Sequence, residues 1–266
     1  MAQGKRIVIV GGVAGGASAA AKARRISEDA EIILFERGGD ISFANCGLPY
    51  HVGGIIQDRS RLLVQSPEAM RKRFAVDVRT HSEVLRIDRA KKVVVVHDKA
   101  KDRQYEQPYD VLILSPGAEP VRPPIPGADH KRVFTLRNLA DMDAIKAVVD
   151  AGGNQAAVVV GGGYIGLEMA EQYARRGMDV TLIDGKDQVL APIDAEIAAL
   201  VHQELRKHGV RVELGKSIEG FLAPEQVSDV TLPLSCHVQA GAQHFPADLV
   251  ILGLGVRPEV GLARKA

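Results

Sequence analysis

Cysteine is scarce: two in 266 residues are too few for a disulfide framework. Neither charge is in surplus, with 34 Lys plus Arg against 33 Asp plus Glu, which removes the usual electrostatic ground for nucleic acid or a membrane surface as main partner. No stretch approaches ~18 continuous apolar residues. The opening MAQGKRIVIVGG closes its short apolar run in glycines and not in a signal-peptide cleavage site. What remains is an ordinary composition, 46% hydrophobic and 25% charged, and a length that suits two domains. The expectation is a cytoplasmic protein with small-molecule partners and no metal site. In a reducing compartment Cys46 and Cys236 should stay separate thiols, so a special role for either has to be chemical.

What is present is present twice. The apolar run Arg6 to Val10 leads into GGVAGGASAAAKARR, and Ala156 to Val160 leads into GGGYIGLEMAEQYARRG. Both read as strand, glycine turn, helix. Each unit then returns to a strand that closes on an acid, EIILFE on Glu36 and DVTLID on Asp184. A third element also recurs, YDVLILSPG from Asp110 to Gly117 and ADLVILGLG from Asp248 to Gly255. Duplication of one nucleotide-binding plan accounts for all three.

In such a turn the first glycine permits the tight exit from the strand, the middle one lets a pyrophosphate approach the backbone, and the last allows helix and strand to pack closely. The helix N-terminus then offers unpaired N–H groups to phosphate, and the closing acid takes a ribose hydroxyl. The second copy fits with Gly161, Gly163 and Gly166; the first has Gly11 and Gly16 but Val13 in the middle. Between the copies, EVLRIDRAKKVVVVHD predicts a β-meander attached to the first domain, and AEPVRPPIPG a crossover leaving it. VRVELGKSIEGFLAP and VTLPLSCHVQA predict a matching tail for the second copy, with Cys236 as a small buried hydrophobe. The LGKS run lacks P-loop spacing, since Val210 stands where the loop needs glycine.

Cys46 lies in ISFANCGLPYHVGG, too rich in glycine, proline and small polar residues for a core to need it. On residues alone it is either a reactive thiol at the opening of a short helix or an inert loop cysteine.

These stretches, with FERGGDISFANCGLPYHVGG, LILSPGAEPVRPPIPG, FTLRNLADMDAI and VILGLGVRPEV, resemble the FAD-dependent pyridine nucleotide-disulfide oxidoreductases. The resemblance is greatest to the single-cysteine branch of coenzyme A-disulfide and NADH-dependent persulfide reductases. It implies an α/β fold of two Rossmann-like domains of the three-layer ββα type, the second inserted in the first. The expected boundaries are 1–120 with 246–266 for the FAD domain and 121–245 for the NAD(P)H domain. Val13 belongs to this branch's GGVAGG pattern. The resemblance places FAD on Gly11, Gly12, Ala14, Gly15, Gly16, Glu36, Arg37, Ser115 and Gly117. It places NADH or NADPH on Gly161, Gly163, Tyr164, Ile165, Gly166 and Asp184, with Tyr164 as an aromatic gate or simply a packing residue and Glu168 nearby. Asp184 favours NADH, whereas Lys186 would tolerate a 2′-phosphate.

Related dithiol enzymes carry CxxxxC, but His51 stands five residues after Cys46, so the second sulfur has to come from the substrate. The resemblance makes Cys46 the catalytic thiol, resting as a mixed disulfide with coenzyme A, and His51 a structural hydrogen-bond partner. Coenzyme A contacts are implied at Ser18, Lys22, Arg25, Ser42 and Asn45. Arg71 and Lys72, in a basic run with Arg73, form either a second anchor or a solvated face. The acceptor would be a small-molecule disulfide, persulfide or polysulfide; a Cys46 sulfenic acid would instead suit an NADH oxidase or peroxidase. Family members continue past VILGLGVRPEV into the rest of the flavin domain and a dimerisation domain, and full-length members are expected to be homodimers. The chain therefore reads as truncated, with an incomplete first domain, and a nucleotide-binding fragment without turnover is the alternative to an enzyme.

Overall fold

The computed structural model describes residues 4–153, 156–227 and 235–266, so Val230 to Leu234 of the expected VTLPLSCHVQA strand lie outside the described residues. In chain order the first part gives β1 (Arg6–Val10), α1 (Gly15–Ile26), β2 (Glu31–Phe35), a short α2 (Leu48–Val52) and α3 (Pro67–Phe74). Five strands follow, β3 (Val76–Arg79), β4 (Ser82–Asp88), β5 (Val93–Asp98), β6 (Arg103–Pro108) and β7 (Val111–Leu114). The middle part holds β8 (Ala118–Pro120), β9 (Val133–Phe134), α4 (Leu139–Asp150), β10 (Ala156–Val160), α5 (Tyr164–Arg175) and β11 (Asp179–Ile183). Last come α6 (Ala195–Lys207), β12 (Arg211–Glu213), β13 (Gly220–Leu222), β14 (Cys236–Ala240), β15 (Gln243–Ala247), β16 (Leu249–Leu252), β17 (Val256–Pro258) and α7 (Gly261–Arg264).

These elements form two compact units, one of residues up to Ala44 with Ser60–Ala118 and Pro258–Ala266, the other of Asn45–Arg59 and Glu119–Arg257. The first is built on a parallel sheet in the order β3-β2-β1-β7. Alternate residues of these strands face opposite ways, and both faces are apolar, as a parallel sheet requires. Ile9, Ile32 and Leu34 pack with Ala20 of α1 and Met70 of α3, whereas Val8, Val10, Ile33 and Phe35 pack with Val84, Ile87, Val94 and Val96 of an antiparallel meander, β4-β5-β6. Helices, parallel sheet and meander make the three expected layers.

The second unit repeats the plan with a parallel sheet β12-β11-β10-β16-β9 and a meander β13-β14-β15. Val158, Val160, Ile183, Val250 and Leu252 meet Phe221, Val238, Phe245 and Cys236 of the meander, and Cys236 is fully buried, as expected. The larger part of the second unit, Glu119–Arg257, is inserted between Ala118 and Pro258 of the first.

Two expected boundaries are corrected. The strand of ADLVILGLG was assigned with 246–266 to the first domain, but β16 pairs parallel with β10 and lies in the second sheet. The repeat itself supplies the reason: β7 flanks β1 in one copy, and β16 flanks β10 in the other. The segment Asn45–Arg59, expected within the first domain, belongs to the second unit, where α2 packs on α4 and α5 and the Arg59 guanidinium pairs with Asp143 at 2.9 Å.

The two copies differ at one edge. LVIL in β16 is buried throughout, with β9 pairing its outer side. VLIL in β7 ends its sheet, with Val111 and Leu114 exposed.

Candidate functional site

The glycine turns superimpose in function, contact by contact. Gly11 and Gly161 take φ of 96° and 104°, and their N–H groups donate to Phe35 O and Ile183 O, both at 2.8 Å. A Cβ on Gly11 would lie 2.0 Å from Ser115 O, and one on Gly161 2.4 Å from Gly253 O, so each turn is pressed against the strand flanking it. A Cβ on Gly16 or Gly166 would likewise meet the carbonyl of Gly11 or Gly161, which lets each helix close on its own turn. At the middle position a Cβ on Gly163 would find only Gly253 O, 3.9 Å away, so that side of the turn is open. In the first copy Val13 occupies this place.

The closing acids hold the second residue of each turn. Glu36 accepts from the N–H groups of Gly12 and Gly38, both at 2.8 Å; Asp184 accepts from Gly162 at 2.6 Å and Lys186 at 2.8 Å. Each carboxylate keeps lone pairs for a further donor such as a ribose hydroxyl. Ser42 and Leu190 then close the loops: their N–H groups donate to Gly12 O and Gly162 O, at φ of 45° and 48°. Left-handed backbone at a non-glycine residue is strained and persists where surrounding contacts fix it. Its recurrence at matching places shows the loops to be one design used twice.

The helices behind the turns begin without side-chain caps. α1 starts after Ala14 and α5 after Gly163, and neither makes a capping bond, whereas α3 is capped by Ser66 and α4 carries an Asn138–Asp141 capping box. The first-turn N–H groups of α1 and α5 are therefore available to an anion. Gly15 sits against the Ser115 side chain, and the Ser115 N–H donates to Val10 O at 2.7 Å. Gly117 takes φ of 79°, Arg37 and Ile165 are half-buried, and Tyr164 is 72% exposed at the start of α5.

Cys46 belongs to the second unit. It lies in the helical turn Asn45–Gly47, which runs straight into α2, and its thiol is exposed. His51 is buried with Nδ1 2.6 Å from Ile56 O, the structural role expected of it. Cys236 is a different kind of thiol: burial pushes its pKa up to about 12, and Sγ donates to Ala247 O at 3.5 Å. Across from α2, burial and then Glu171 raise the Glu168 carboxyl above the usual carboxylate range.

The residues expected to contact coenzyme A divide between the units. Ser18, Lys22 and Arg25 are exposed along one stripe of α1, spaced four and three apart. Ser42 is in the loop over Gly12, and Arg71 and Lys72 are exposed on α3. Arg71 is tied down, its Nη2 donating to Val78 O at 2.5 Å, and Arg73 lies over the Phe74 ring. Asn45, beside Cys46, is in the second unit. Among the described residues no three or more His, Cys, Asp or Glu side chains are grouped to hold a metal, and no helix is long and apolar enough to cross a membrane.

Sequence reasoning missed His202 on α6, whose Nε2 accepts the Val189 N–H at 3.1 Å and so fixes the residue packed against Gly162. Nothing in its spacing announces this. It also passed over Tyr50, though four residues after Cys46 is a helical neighbour's distance.

Two Rossmann-type turns with closing acids, beside a solvent-facing cysteine, define a tandem dinucleotide-binding fold. The chain belongs to the pyridine nucleotide-disulphide oxidoreductase family, whose pattern matches residues 5–266. It is 36% identical over 254 residues to the coenzyme A disulfide reductase of Staphylococcus haemolyticus, covering 96% of this chain and 54% of that protein. The crystal structure of reduced Bacillus anthracis CoADR-RHD is similar with a TM-score of 0.92 and 45% identity, over 99% of this chain and 46% of that one. A NAD-dependent persulfide reductase from A. fulgidus is similar with a TM-score of 0.90 and 33% identity, over 98% and 47% respectively. The chain thus spans about half the length of these relatives.

Proposed function

We propose that the protein carries electrons from NADH through FAD to a substrate sulfur held by Cys46, the substrate being coenzyme A disulfide, a coenzyme A persulfide or a polysulfide. The observation that carries this reading is the contrast between its two thiols: Cys46 is exposed at a helical turn, and Cys236 is buried. With no second accessible thiol among the described residues, a disulfide at Cys46 has to be mixed with the substrate. The Cys46 thiolate attacks the substrate S–S bond, one sulfur becomes bonded to Sγ, and the other departs as a thiolate. Two electrons are then needed to free Cys46, and these are what FAD reduced by NADH would supply when bound.

The open turns fit these cofactors. Gly11, Gly12, Ala14, Gly15 and Gly16, with Glu36, Arg37, Ser115 and Gly117, would hold FAD; Gly161, Gly163, Tyr164, Ile165, Gly166 and Asp184 would hold NADH. An aspartate closing the second unit accepts from a 2′-OH and repels a 2′-phosphate, which favours NADH over NADPH despite Lys186. Lys22 and Arg25 supply two cations three residues apart for coenzyme A phosphates, with Ser18, Ser42 and Lys72 of the same unit as further contacts. Arg71, whose Nη2 also donates to Val78 O of β3, would be a further contact. The full-length protein would act as a homodimer.

The test is the visible spectrum of the purified chain with added FAD, followed by anaerobic NADH and then coenzyme A disulfide. Bound flavin should bleach with NADH and recover with the disulfide, releasing thiol. A chain that ignores FAD overturns the flavin assignment. Recovery with oxygen alone, and not with disulfide, would replace the reductase by an oxidase.

A pH effect follows for the second unit. Burial, with Arg206 adding to it, lowers the His202 pKa below the ordinary histidine value, so the neutral ring that accepts from Val189 is favoured. A depressed folded-state pKa contributes stability that is present above the unfolded pKa, about 6.5, and is lost as pH falls through the folded value. NADH affinity, followed by fluorescence titration, should fall on the acid side of the ordinary histidine range. His202→Gln offers an untitratable acceptor and should flatten that limb; an unchanged acid limb would refute the link.

A further inference from the structure

We infer that the Tyr50 hydroxyl donates a hydrogen bond to the departing sulfur when Cys46 opens a substrate disulfide. The inference rests on the reading of Cys46 as the attacking thiol. Its ground is placement within one unit. The turn Asn45–Gly47 passes without a break into α2, Gly47 having right-handed helical angles of φ −83° and ψ −14°. About one helical turn separates the two residues, and Cys46 is among the charges that act on the Tyr50 phenol, so Tyr50 lies near Cys46. Cys46 is exposed, Tyr50 is half-buried, and no described residue makes a hydrogen bond to the Tyr50 hydroxyl.

The surroundings make this hydroxyl a donor. α2 packs on α5, which brings Glu168 and Glu171 to the same place. Glu168 first, then burial, Glu171 and Cys46, push the Tyr50 phenol above its ordinary range, so it keeps its proton wherever thiols ionise. The carboxylates accept hydrogen bonds but do not donate when ionised, and they disfavour a new negative charge nearby. A departing thiolate is such a charge, and an O–H donor beside it offsets the repulsion.

The step balances without a further reagent. The Cys46 Sγ to substrate sulfur bond forms, the substrate S–S bond breaks, and its electron pair leaves on the outer sulfur. The Tyr50 O–H donates to that sulfur and retains its proton; water protonates the thiolate.

The test is a leaving-group comparison on the intact chain, which needs no bound flavin. Cys46 is reacted with dithiodipyridine, whose thiopyridone leaves readily, and with cystamine, whose alkyl thiolate needs help to leave; mixed-disulfide formation is followed by absorbance and mass. Tyr50→Phe should slow cystamine about tenfold, the worth of one hydrogen bond to an ion, and change dithiodipyridine less than twofold. Equal slowing of both reagents, or of neither, overturns the role of Tyr50. Cys46→Ser separates this from the underlying reading: if the fast reaction survives in that variant, Cys46 is not the attacking thiol and both fail. If it disappears while Tyr50→Phe shows no selectivity, only the Tyr50 inference falls.

Discussion

Replacing Cys46 with serine is expected to remove all disulfide reactivity from the folded chain while leaving its stability nearly unchanged. The side chain is exposed and loses only its sulfur, so the fold should change by no more than about 0.5 kcal/mol. Reactivity should fall below detection, because a hydroxyl does not perform thiolate exchange. Thiol titration reads both sides: one group in the folded native chain, none in Cys46→Ser, and two on denaturing the native chain. Burial of Cys236, with its pKa raised to about 12, is why that thiol stays silent until the second unit opens. A folded Cys46→Ser chain that still titrated one thiol would place the reactivity at Cys236 and break the proposed chemistry.

Gly161→Ala is expected to be strongly damaging to the second unit. At φ 104° an L-residue is strained, and the new Cβ would sit 2.4 Å from Gly253 O and 2.7 Å from its carbonyl carbon, backbone atoms directly after β16 that cannot turn aside. Strain and overlap together should lower stability by about 3 kcal/mol or more, and NADH binding should be lost with the turn. Gly209→Ala is the control: its φ is 81°, but a Cβ there meets nothing within 4 Å, so only the backbone term of about 1 kcal/mol applies. Thermal unfolding of both variants separates the terms. Equal shifts would mean that the approach of β16 to the turn is not what fixes Gly161.

Features with a short sequence period were legible. The two apolar runs before glycine turns, the acids at Glu36 and Asp184 and the recurring Asp-to-Gly strands read correctly because each is set by local backbone geometry and a repeated plan. The destination of β16 and the attachment of Asn45–Arg59 were misread because both depend on long-range packing. Choosing the neighbour of a parallel strand such as LVIL is a tertiary decision, and either sheet would accept it on hydrophobicity alone. The seating of α2 on α4 and α5 likewise leaves no periodic trace in NCGLPYHV. Ser42 and Leu190 share a left-handed conformation although nothing in their chemistry favours it; the loops around Gly12 and Gly162 impose it. His202 is legible only once α6 has folded back over Val189.

The unequal edges of the two parallel sheets bear on how the protein behaves in concentrated solution. A strand such as β16, sealed by β9, offers a second chain nothing to pair with. β7 presents Val111 and Leu114 to water beside a row of backbone donors and acceptors on its outer side, and neither a proline nor a charged side chain interrupts VLIL. Such an edge is a template for intermolecular β-pairing. Among the described residues the first sheet thus keeps an open edge at β7, where the second sheet has β9.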